Sequence, residues 1–300
     1  MKLTLCAAAV CLAPVVGMAQ DVTVETHAGP VTLQAGPQNV VALDLAAIDA
    51  LSALDVAIAA VPSVTPPAYL ARVMQDLPAV GTLFEPDFEA LAVMGPDLIV
   101  AGGRSQAQVG ALSRVAPTID MTIMNDGLIE QARDRVAAYG ALFDKADAAD
   151  ALIAQLDDAL ASTAAAVTGK GSALIVQTNG GKLSAYGADS RFGWLHNAVG
   201  LPQAFDGITA ENHGESVSFE FIAEVNPDWL LVLDRAAAIG QDGEAAAVTL
   251  DNPLIAGTTA GQRGQIIYLD GGAIYLAGGG IQSVQIVLDQ IRTAFEGSGS

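Results

Sequence analysis

Three arginines carry the clearest chemical signal in a chain with few positive charges. Lys and Arg number 13 against 33 Asp and Glu, so the formal net charge is −20 at pH 7. Arg104 and Arg235 each follow an apolar run that predicts a strand, and Arg191 lies in the segment ADSRFG. Arginine stays charged and offers planar N–H donors to anionic oxygens. The trio therefore predicts a site for an anionic ligand.

The segment around Arg191 predicts a helix that Asp189 or Ser190 caps and that contains Trp194. Arg191 then falls in the first helical turn, where a cation opposes the helix dipole. Local conflicts of this kind are expected at functional sites. The ordinary alternative is a surface arginine that pairs with Asp189.

One histidine and one tyrosine could add metal chemistry to the arginines. His213 lies in the polar loop ENHGES, and Tyr275 precedes a run of three glycines that would let the backbone approach a ligand closely. Iron(III) is hard and prefers oxygen donors such as phenolate, with imidazole as an acceptable companion. The two side chains could fill open positions on an anionic iron complex. A loop histidine alone is a weak signal, because most such side chains are simply solvated.

Two of the arginines end segments that can be laid over each other without a gap. FEALAVMGPDLIVAGGR runs from Phe88 to Arg104, and FEFIAEVNPDWLLVLDR runs from Phe219 to Arg235. Helix, Pro-Asp and strand form a common connection, because proline ends a helix. That connection does not explain the matching Glu and Arg at the two ends. We therefore predict a duplicated half-unit, with both arginines at the carboxyl ends of strands, where open α/β sheets bind ligands.

The acidic residues at the start of this repeat are Glu89 and Glu220. We expect them at the edge of each lobe opposite the cleft. Their ordinary role would be to favour a helix N-terminus, which carries a partial positive charge.

Strand and helix patterns alternate along most of the chain, which predicts an α/β fold with parallel strands. Residues 21–35 alternate polar and apolar about a His-Ala-Gly-Pro turn and predict a β-hairpin. Residues 126–167 are rich in Ala, Leu and Asp and contain no proline. They predict two helices with a break near residues 143–147, and a new strand is predicted from Ala173.

The first 19 residues predict a secretory signal that is separate from the fold. Lys2 gives a positive start, Leu3–Val16 form an apolar run, and small residues precede a cut after Ala19. Both cysteines, Cys6 and Cys11, lie in this segment, so the mature chain has no thiol for a disulfide, a metal site or a nucleophile. No small residue precedes Cys11, so a lipid anchor is not expected. The strongly acidic mature chain is a poor partner for nucleic acid or anionic membrane.

Taken together, these motifs resemble the periplasmic binding proteins for iron siderophores, haem and vitamin B12, and most of all the ferric catecholate binders. The likeness runs from VVALDLAAIDAL to the C-terminal helix. The family's arginine trio is matched by AGGR at Arg104, SRFG at Arg191 and VLDR at Arg235. Its ligand histidine is matched by ENHGES at His213, and its ligand tyrosine by AIYLAGGG at Tyr275.

The resemblance implies an α/β fold of two Rossmann-like lobes joined by one long helix, with the ligand in the cleft between the lobes. The expected division is an N-terminal lobe over 20–145, a linking helix over 146–168 and a C-terminal lobe over 169–300. It implies a monomeric periplasmic protein that has no intrinsic cofactor and delivers Fe(III), as a siderophore complex, to an inner-membrane ABC permease.

The resemblance also implies a role for each matched residue. The arginines would hold catecholate oxygens, and His213 and Tyr275 would complete the iron shell when the siderophore supplies only two catechols. Glu89 and Glu220 would pair with arginines of the permease.

Two alternatives stay open at this point. A haem or cobalamin carrier of the same fold is the nearer one. An exported hydrolase is the alternative from another class, although the chain has neither Gly-x-Ser-x-Gly nor His-Glu-x-x-His.

Overall fold

The computed structural model describes residues 21–210 and 212–297, so the predicted signal segment at residues 1–19 lies outside the described residues. An antiparallel hairpin opens the described chain, with β1 (Asp21–Thr26) paired to β2 (Gly29–Gln34). Alternate side chains of β1 point inward, so Val24 is buried while its neighbours are exposed. The predicted hairpin is confirmed.

The first lobe is built on a small parallel sheet. Its strands lie in the order β3 (Val40–Ala42), β4 (Leu98–Ala101), β5 (Thr118–Asp120). Every residue of β3 and β4 is buried, as expected for parallel strands that are covered on both faces. The helices of this half are α1 (Leu45–Ala53), α2 (Ala71–Met74), α3 (Phe88–Met94), α4 (Val109–Leu112) and α5 (Leu128–Leu142), with 3-10 turns at Ala68–Leu70 and Gly103–Gln108.

The second lobe contains a five-stranded mixed sheet. Its order is β10 (Ile266–Tyr268), β9 (Trp229–Asp234), β6 (Ala173–Asn179), β7 (Lys182–Tyr186), β8 (Glu215–Val217). The first three are mutually parallel, whereas β7 and β8 run antiparallel to their neighbours. Gly180 and Gly181 both have positive φ in the tight turn from β6 to β7, a conformation that glycine adopts without steric cost. The short helices are α7 (Trp194–Asn197), α8 (Phe219–Val225), α9 (Arg235–Ala238), α10 (Ala246–Thr249), α11 (Pro253–Ala256) and α12 (Thr259–Arg263), and a π turn spans Gly272–Leu276.

A long helix leads from one lobe to the other. This helix, α6 (Ala146–Val167), has 22 residues and is about 33 Å long. It is separated from α5 by a short break in which Asp144 takes a positive φ of 56°, so the predicted break near residues 143–147 is confirmed. Its inner face packs against α5 and against the C-terminal helix α13 (Ile281–Gly297), which also contacts α1. The two lobes therefore share one helical layer.

The predicted repeat is visible in the local structure of the two halves. Helices α3 and α8 each have seven residues, and each is capped by the side chain that precedes it, Asp87 and Ser218. Each helix also ends at a left-handed residue, Gly95 in one half and Asn226 in the other. A left-handed residue satisfies the last helical carbonyls and turns the chain into the next strand.

Within the described residues, no helix is long and apolar enough to cross a membrane.

Candidate ligand-binding cleft

Two arginines follow strands directly, as expected from the sequence. Arg104 lies in the 3-10 turn after β4, which starts at Gly103 with a φ of 51°. Arg235 is the first residue of α9, directly after β9, and the Asp234 carboxylate caps this helix by accepting from the Ala237 N–H at 3.0 Å. Both side chains therefore start from the carboxyl edge of a sheet, where parallel α/β folds bind ligands.

The local structure around Arg191 differs from the prediction. The helix begins at Trp194 with Gly193 as its N-cap, so Arg191 lies in the preceding turn and not in the first helical turn. The hydroxyl of Ser190 caps no helix and donates to the Gly187 carbonyl at 2.6 Å. The Arg191 side chain therefore does not oppose a helix dipole. The prediction of a helix that Asp189 or Ser190 caps, with Arg191 in its first turn, was wrong.

All three arginines converge on Tyr275. Arg104 Nη2 and Arg191 Nη2 donate to the Tyr275 carbonyl oxygen at 2.9 and 2.7 Å. Arg235 Nε donates to the Tyr275 hydroxyl at 3.0 Å. The guanidinium carbons lie 5.5, 4.5 and 5.7 Å from the ring centroid for Arg104, Arg191 and Arg235, within the range of cation–π attraction. One tyrosine thus gathers cations from both lobes.

The backbone that carries Tyr275 is a single π turn. The Ala277 N–H donates to the Gly272 carbonyl at 3.1 Å, a bond that spans five residues. Within this turn the carbonyls of Tyr275 and Leu276 accept from arginines. Single π turns occur frequently at functional sites. Glycine content pointed to an unusual backbone here, but not to this geometry.

The arginine cluster has no carboxylate directly paired with it. Among the described residues, none of the three arginines forms a salt bridge, and their hydrogen bonds go to carbonyls, the tyrosine hydroxyl and Asn179. Burial, and then the nearby charge of Arg191, lower the pKa of Arg104. The surface alternative for Arg191, a pair with Asp189, is therefore not what the structure shows.

The same cations change the acidity of Tyr275. Partial burial by itself would raise the pKa of its hydroxyl, but the Arg235 hydrogen bond and the charges of Arg235, Arg191 and Arg104 outweigh burial and lower the pKa. A lowered pKa makes the phenolate, which is the metal-binding form, easier to reach. Tyr186, which has a hydroxyl near the same cluster, shows the opposite result, because burial raises its pKa to about 12.

The cluster borders a cavity of about 340 Å³ between the lobes. Its lining includes Arg104, Arg191, Tyr275 and His213, and His213 is exposed at its edge. The structure thus brings four of the five matched residues to one cavity, and the fifth, Arg235, reaches it through the Tyr275 hydroxyl.

A larger cavity of about 640 Å³ adjoins the arginine cavity and shares Asn125, Leu128 and Trp194 with it. None of the three arginines lines this larger space. Across the gap between the lobes, Asn125 Nδ2 donates to Asn212 Oδ1 at 2.8 Å. The smaller cavity is therefore the one that carries the chemistry.

Sequence reasoning missed several residues of the cleft, of which Asp44 is the most informative. Asp44 follows β3, caps α1 by accepting from the Ala47 N–H at 3.1 Å, and lines the arginine cavity. Burial raises its pKa to about 6, against the lowering effects of the Ala47 N–H and of Arg104. A polar residue at the end of a parallel strand is a recognisable signal, and the same reasoning that singled out Arg104 could have found Asp44.

The two acidic residues of the repeat do not lie where we expected. Helix α3 ends beside Asn39, which directly precedes β3 and donates from Nδ2 to the Met94 carbonyl at 3.0 Å. Helix α8 ends close to Asp228, which contacts Ser172 ahead of β6. Both helices therefore finish at the amino edge of the strands and begin at the carboxyl edge.

Glu89 and Glu220 are consequently on the cleft side of the lobes, and the expectation of the opposite edge was wrong. The physical reason is that a helix that leads into a strand runs antiparallel to it and must start where that strand ends. Both side chains are exposed, and neither lines the arginine cavity.

Two α/β lobes that share a helical layer and enclose a cationic cleft define a solute-binding protein. Residues 40–273 match the periplasmic binding protein family, and the chain belongs to that family.

Among its relatives, the petrobactin-binding protein YclQ of Bacillus subtilis is 35% identical over 266 residues, 87% of this chain and 83% of the relative. The crystal structure of YclQ superposes with a TM-score of 0.88 over 92% of this chain and 99% of that one. The ferric-anguibactin-binding protein FatB of Vibrio anguillarum is 31% identical over 283 residues, 92% of this chain and 88% of the relative. The catecholate-siderophore binding protein VctP of Vibrio cholerae is 34% identical, with a TM-score of 0.86 over 91% of this chain and all of that one.

Proposed function

We propose that this protein captures a ferric siderophore of the catecholate type in the arginine cleft and delivers it to an ATP-driven importer. The observation that carries the proposal is the convergence of three arginines, none of them salt-bridged within the described chain, on one tyrosine. Relatives that bind petrobactin, ferric anguibactin and catecholate siderophores cover most of the chain and support it.

Each group in the cleft suits one part of such a ligand. Guanidinium groups donate charge-assisted hydrogen bonds to the negatively charged oxygens around the iron. Tyr275, with its lowered pKa, supplies a phenolate oxygen, and His213, from a loop of the same lobe, supplies an imidazole nitrogen at the cavity edge. Both are acceptable ligands for iron(III). The iron is cargo, bound as part of the siderophore complex.

The relatives do not favour the two alternatives. A haem or cobalamin carrier would need a site for a large planar macrocycle, whereas the relatives named above bind siderophores. Hydrolysis would need an activated nucleophile, and the family is one of binding proteins. Membership of this family also supports a periplasmic location and delivery of the ligand to an inner-membrane permease.

The proposed function is tested by the quenching of tryptophan fluorescence. Of the two tryptophans, Trp194 lines the cleft and Trp229 stacks on Phe295 with ring centroids 3.7 Å apart. Ferric catecholates should quench the cleft tryptophan with a saturable, sub-micromolar midpoint. Ferric hydroxamates, ferric citrate and haem should quench weakly. Saturable quenching by haem alone, with a Soret band that travels with the protein, would replace this proposal with the haem carrier.

The exposed acids at the helix starts give a separate expectation about transport. The backbone N–H of Glu220 and the Ser218 hydroxyl lower the pKa of Glu220, so its carboxylate is ionised at neutral pH. We expect Glu89→Ala with Glu220→Ala to leave ferric catecholate affinity within twofold of the unsubstituted protein, because neither side chain lines the cavity. Binding to the reconstituted permease should weaken by at least about tenfold, since each acid would lose a charge-assisted contact.

The matched control for this pair is Glu25→Ala with Glu224→Ala, which removes the same charge from exposed positions. Equal losses of permease binding in the two pairs would mean that net charge, and not the two helix starts, guides docking. Loss of ligand affinity in a folded Glu89 and Glu220 variant would place these acids in the ligand site instead.

A further inference from the structure

A short loop at the rim of the cleft carries one aromatic residue, and hydrogen bonds hold the backbone of this loop in place. The Thr82 N–H donates to the Glu85 carbonyl at 2.9 Å, and the Thr82 hydroxyl oxygen accepts from the N–H groups of Phe84 and Glu85. Gly81 closes the loop with a φ of 87°, where an added Cβ would lie 2.4 Å from the backbone nitrogen of Asp87. The tip of the loop, which carries Phe84, is therefore pinned by its own backbone.

The same loop is tied to the segment that carries an arginine of the cleft. Gln108 Nε2 donates to the Phe84 carbonyl at 3.3 Å, and Gln108 is the last residue of the 3-10 turn that contains Arg104. The Phe84 side chain lines the arginine cavity together with Arg104 and Tyr275. The position of the Phe84 backbone relative to the Arg104 segment is thus set by local structure.

Phe84 is also unusually exposed for a phenylalanine. It is 60% exposed, and of the exposed large hydrophobic side chains in the described chain it alone lines the arginine cavity. Two other aromatic side chains of the lining are less accessible to a ligand ring. Trp194 is buried, and Tyr275 is surrounded by guanidinium groups. Phe84 therefore presents the accessible aromatic face of the cavity.

We propose that Phe84 is a specificity-determining residue of the cleft, on which an aryl ring of the bound iron complex packs. This inference rests on the proposed function and assigns to one residue the recognition of the aromatic rings of the ligand. Aryl rings pack on one another in offset-stacked or edge-to-face geometries, with a gain of about 0.5–1.5 kcal/mol beyond the burial of area. A ring that the arginines hold by its oxygens would have its apolar face available to Phe84.

The test compares two substitutions at Phe84. The probe is the iron(III) complex of a synthetic diamine that carries two 2,3-dihydroxybenzoyl groups, and affinity is measured by fluorescence quenching. Phe84→Leu keeps an apolar side chain but removes the ring, and we expect it to weaken binding by about two- to tenfold. Phe84→Tyr keeps the ring, and we expect its affinity to stay within twofold of the unsubstituted protein.

Phe88→Leu is the matched control, since Phe88 is also partly exposed, lies four residues away and does not line the cavity. It should leave affinity unchanged. Equal affinity of the Leu and Tyr variants at Phe84, whether reduced or not, would overturn the stacking role while leaving the proposed function intact. Failure of the unsubstituted protein to bind the probe would instead count against the catecholate proposal and the inference together. If Phe84→Leu unfolds at a lower temperature than the unsubstituted protein, Phe84→Met, which also lacks a ring, takes its place.

Discussion

Arg191→Ala is expected to weaken the binding of a ferric tris-catecholate by about tenfold to a hundredfold. A charge-assisted hydrogen bond contributes roughly 1.5–3 kcal/mol, and each 1.4 kcal/mol corresponds to a factor of ten in affinity. A tris-catecholate supplies all six oxygens that iron requires, so the protein must hold it through the arginines. Of the three guanidinium groups, that of Arg191 lies closest to the Tyr275 ring, at 4.5 Å, and it is central to the cluster.

The control for this substitution is Arg263→Ala. The side chain of Arg263 is 64% exposed and pairs with Asp228 at 3.7 Å, on the amino edge of the sheet. Arg263→Ala should leave the affinity for the tris-catecholate within twofold of the unsubstituted protein. Added salt should reduce the difference in affinity between Arg191→Ala and the unsubstituted protein, because salt screens partly exposed charges. An Arg191 variant that binds as well as the control variant would remove the arginine cluster from the ligand site.

His213→Ala with Tyr275→Phe is expected to separate two kinds of siderophore. A bis-catecholate supplies four oxygens and leaves two positions open on octahedral iron, which the imidazole and the phenolate would fill. The double variant should therefore lose at least about a hundredfold in bis-catecholate affinity, the sum of two contacts of roughly 1.5–3 kcal/mol each. Its charge-transfer absorption should shift as well. Tris-catecholate binding should change much less.

The structure adds a reason for expecting coordination by Tyr275. The surrounding arginines lower the pKa of its hydroxyl, so the phenolate becomes available at a higher proton concentration than for an ordinary tyrosine. Tyr268→Phe with His27→Ala is a suitable control, since Tyr268 is 43% exposed and does not line the cavity, and His27 is exposed at the hairpin. If both siderophores lost similar affinity and the visible spectrum stayed unchanged, the two residues would only pack against the ligand.

Local patterns in the sequence were sufficient to predict much of the architecture. The β1–β2 hairpin follows from strict alternation about a turn, and the break between α5 and α6 follows from a change in helical pattern. The positions of Arg104 and Arg235 at strand ends follow from apolar runs that stop at a charge. Each of these features depends on residues within about one turn or one strand of each other, so the neighbouring sequence contains the information.

The sequence was also sufficient to single out the five residues that meet at the cleft, because a resemblance was carried by their motifs in order. It did not determine how they meet. The bond from Arg191 to Tyr275 joins residues 84 positions apart, and that from Arg104 to Tyr275 joins residues 171 positions apart. No local period relates positions so distant. The Arg191 contact arises when the second lobe folds, and the Arg104 contact arises only when the two lobes face each other.

Tertiary structure alone decided the pKa of Tyr275, the exposure of Phe84 and the sheet edge on which two acidic residues lie. The lowered pKa of Tyr275 needs three cations from two lobes around one hydroxyl. The exposure of Phe84 depends on how its pinned loop meets the cavity. The edge that carries Glu89 and Glu220 depends on the direction in which each helix crosses its sheet, and a helical pattern in sequence has a period but no direction relative to its neighbours.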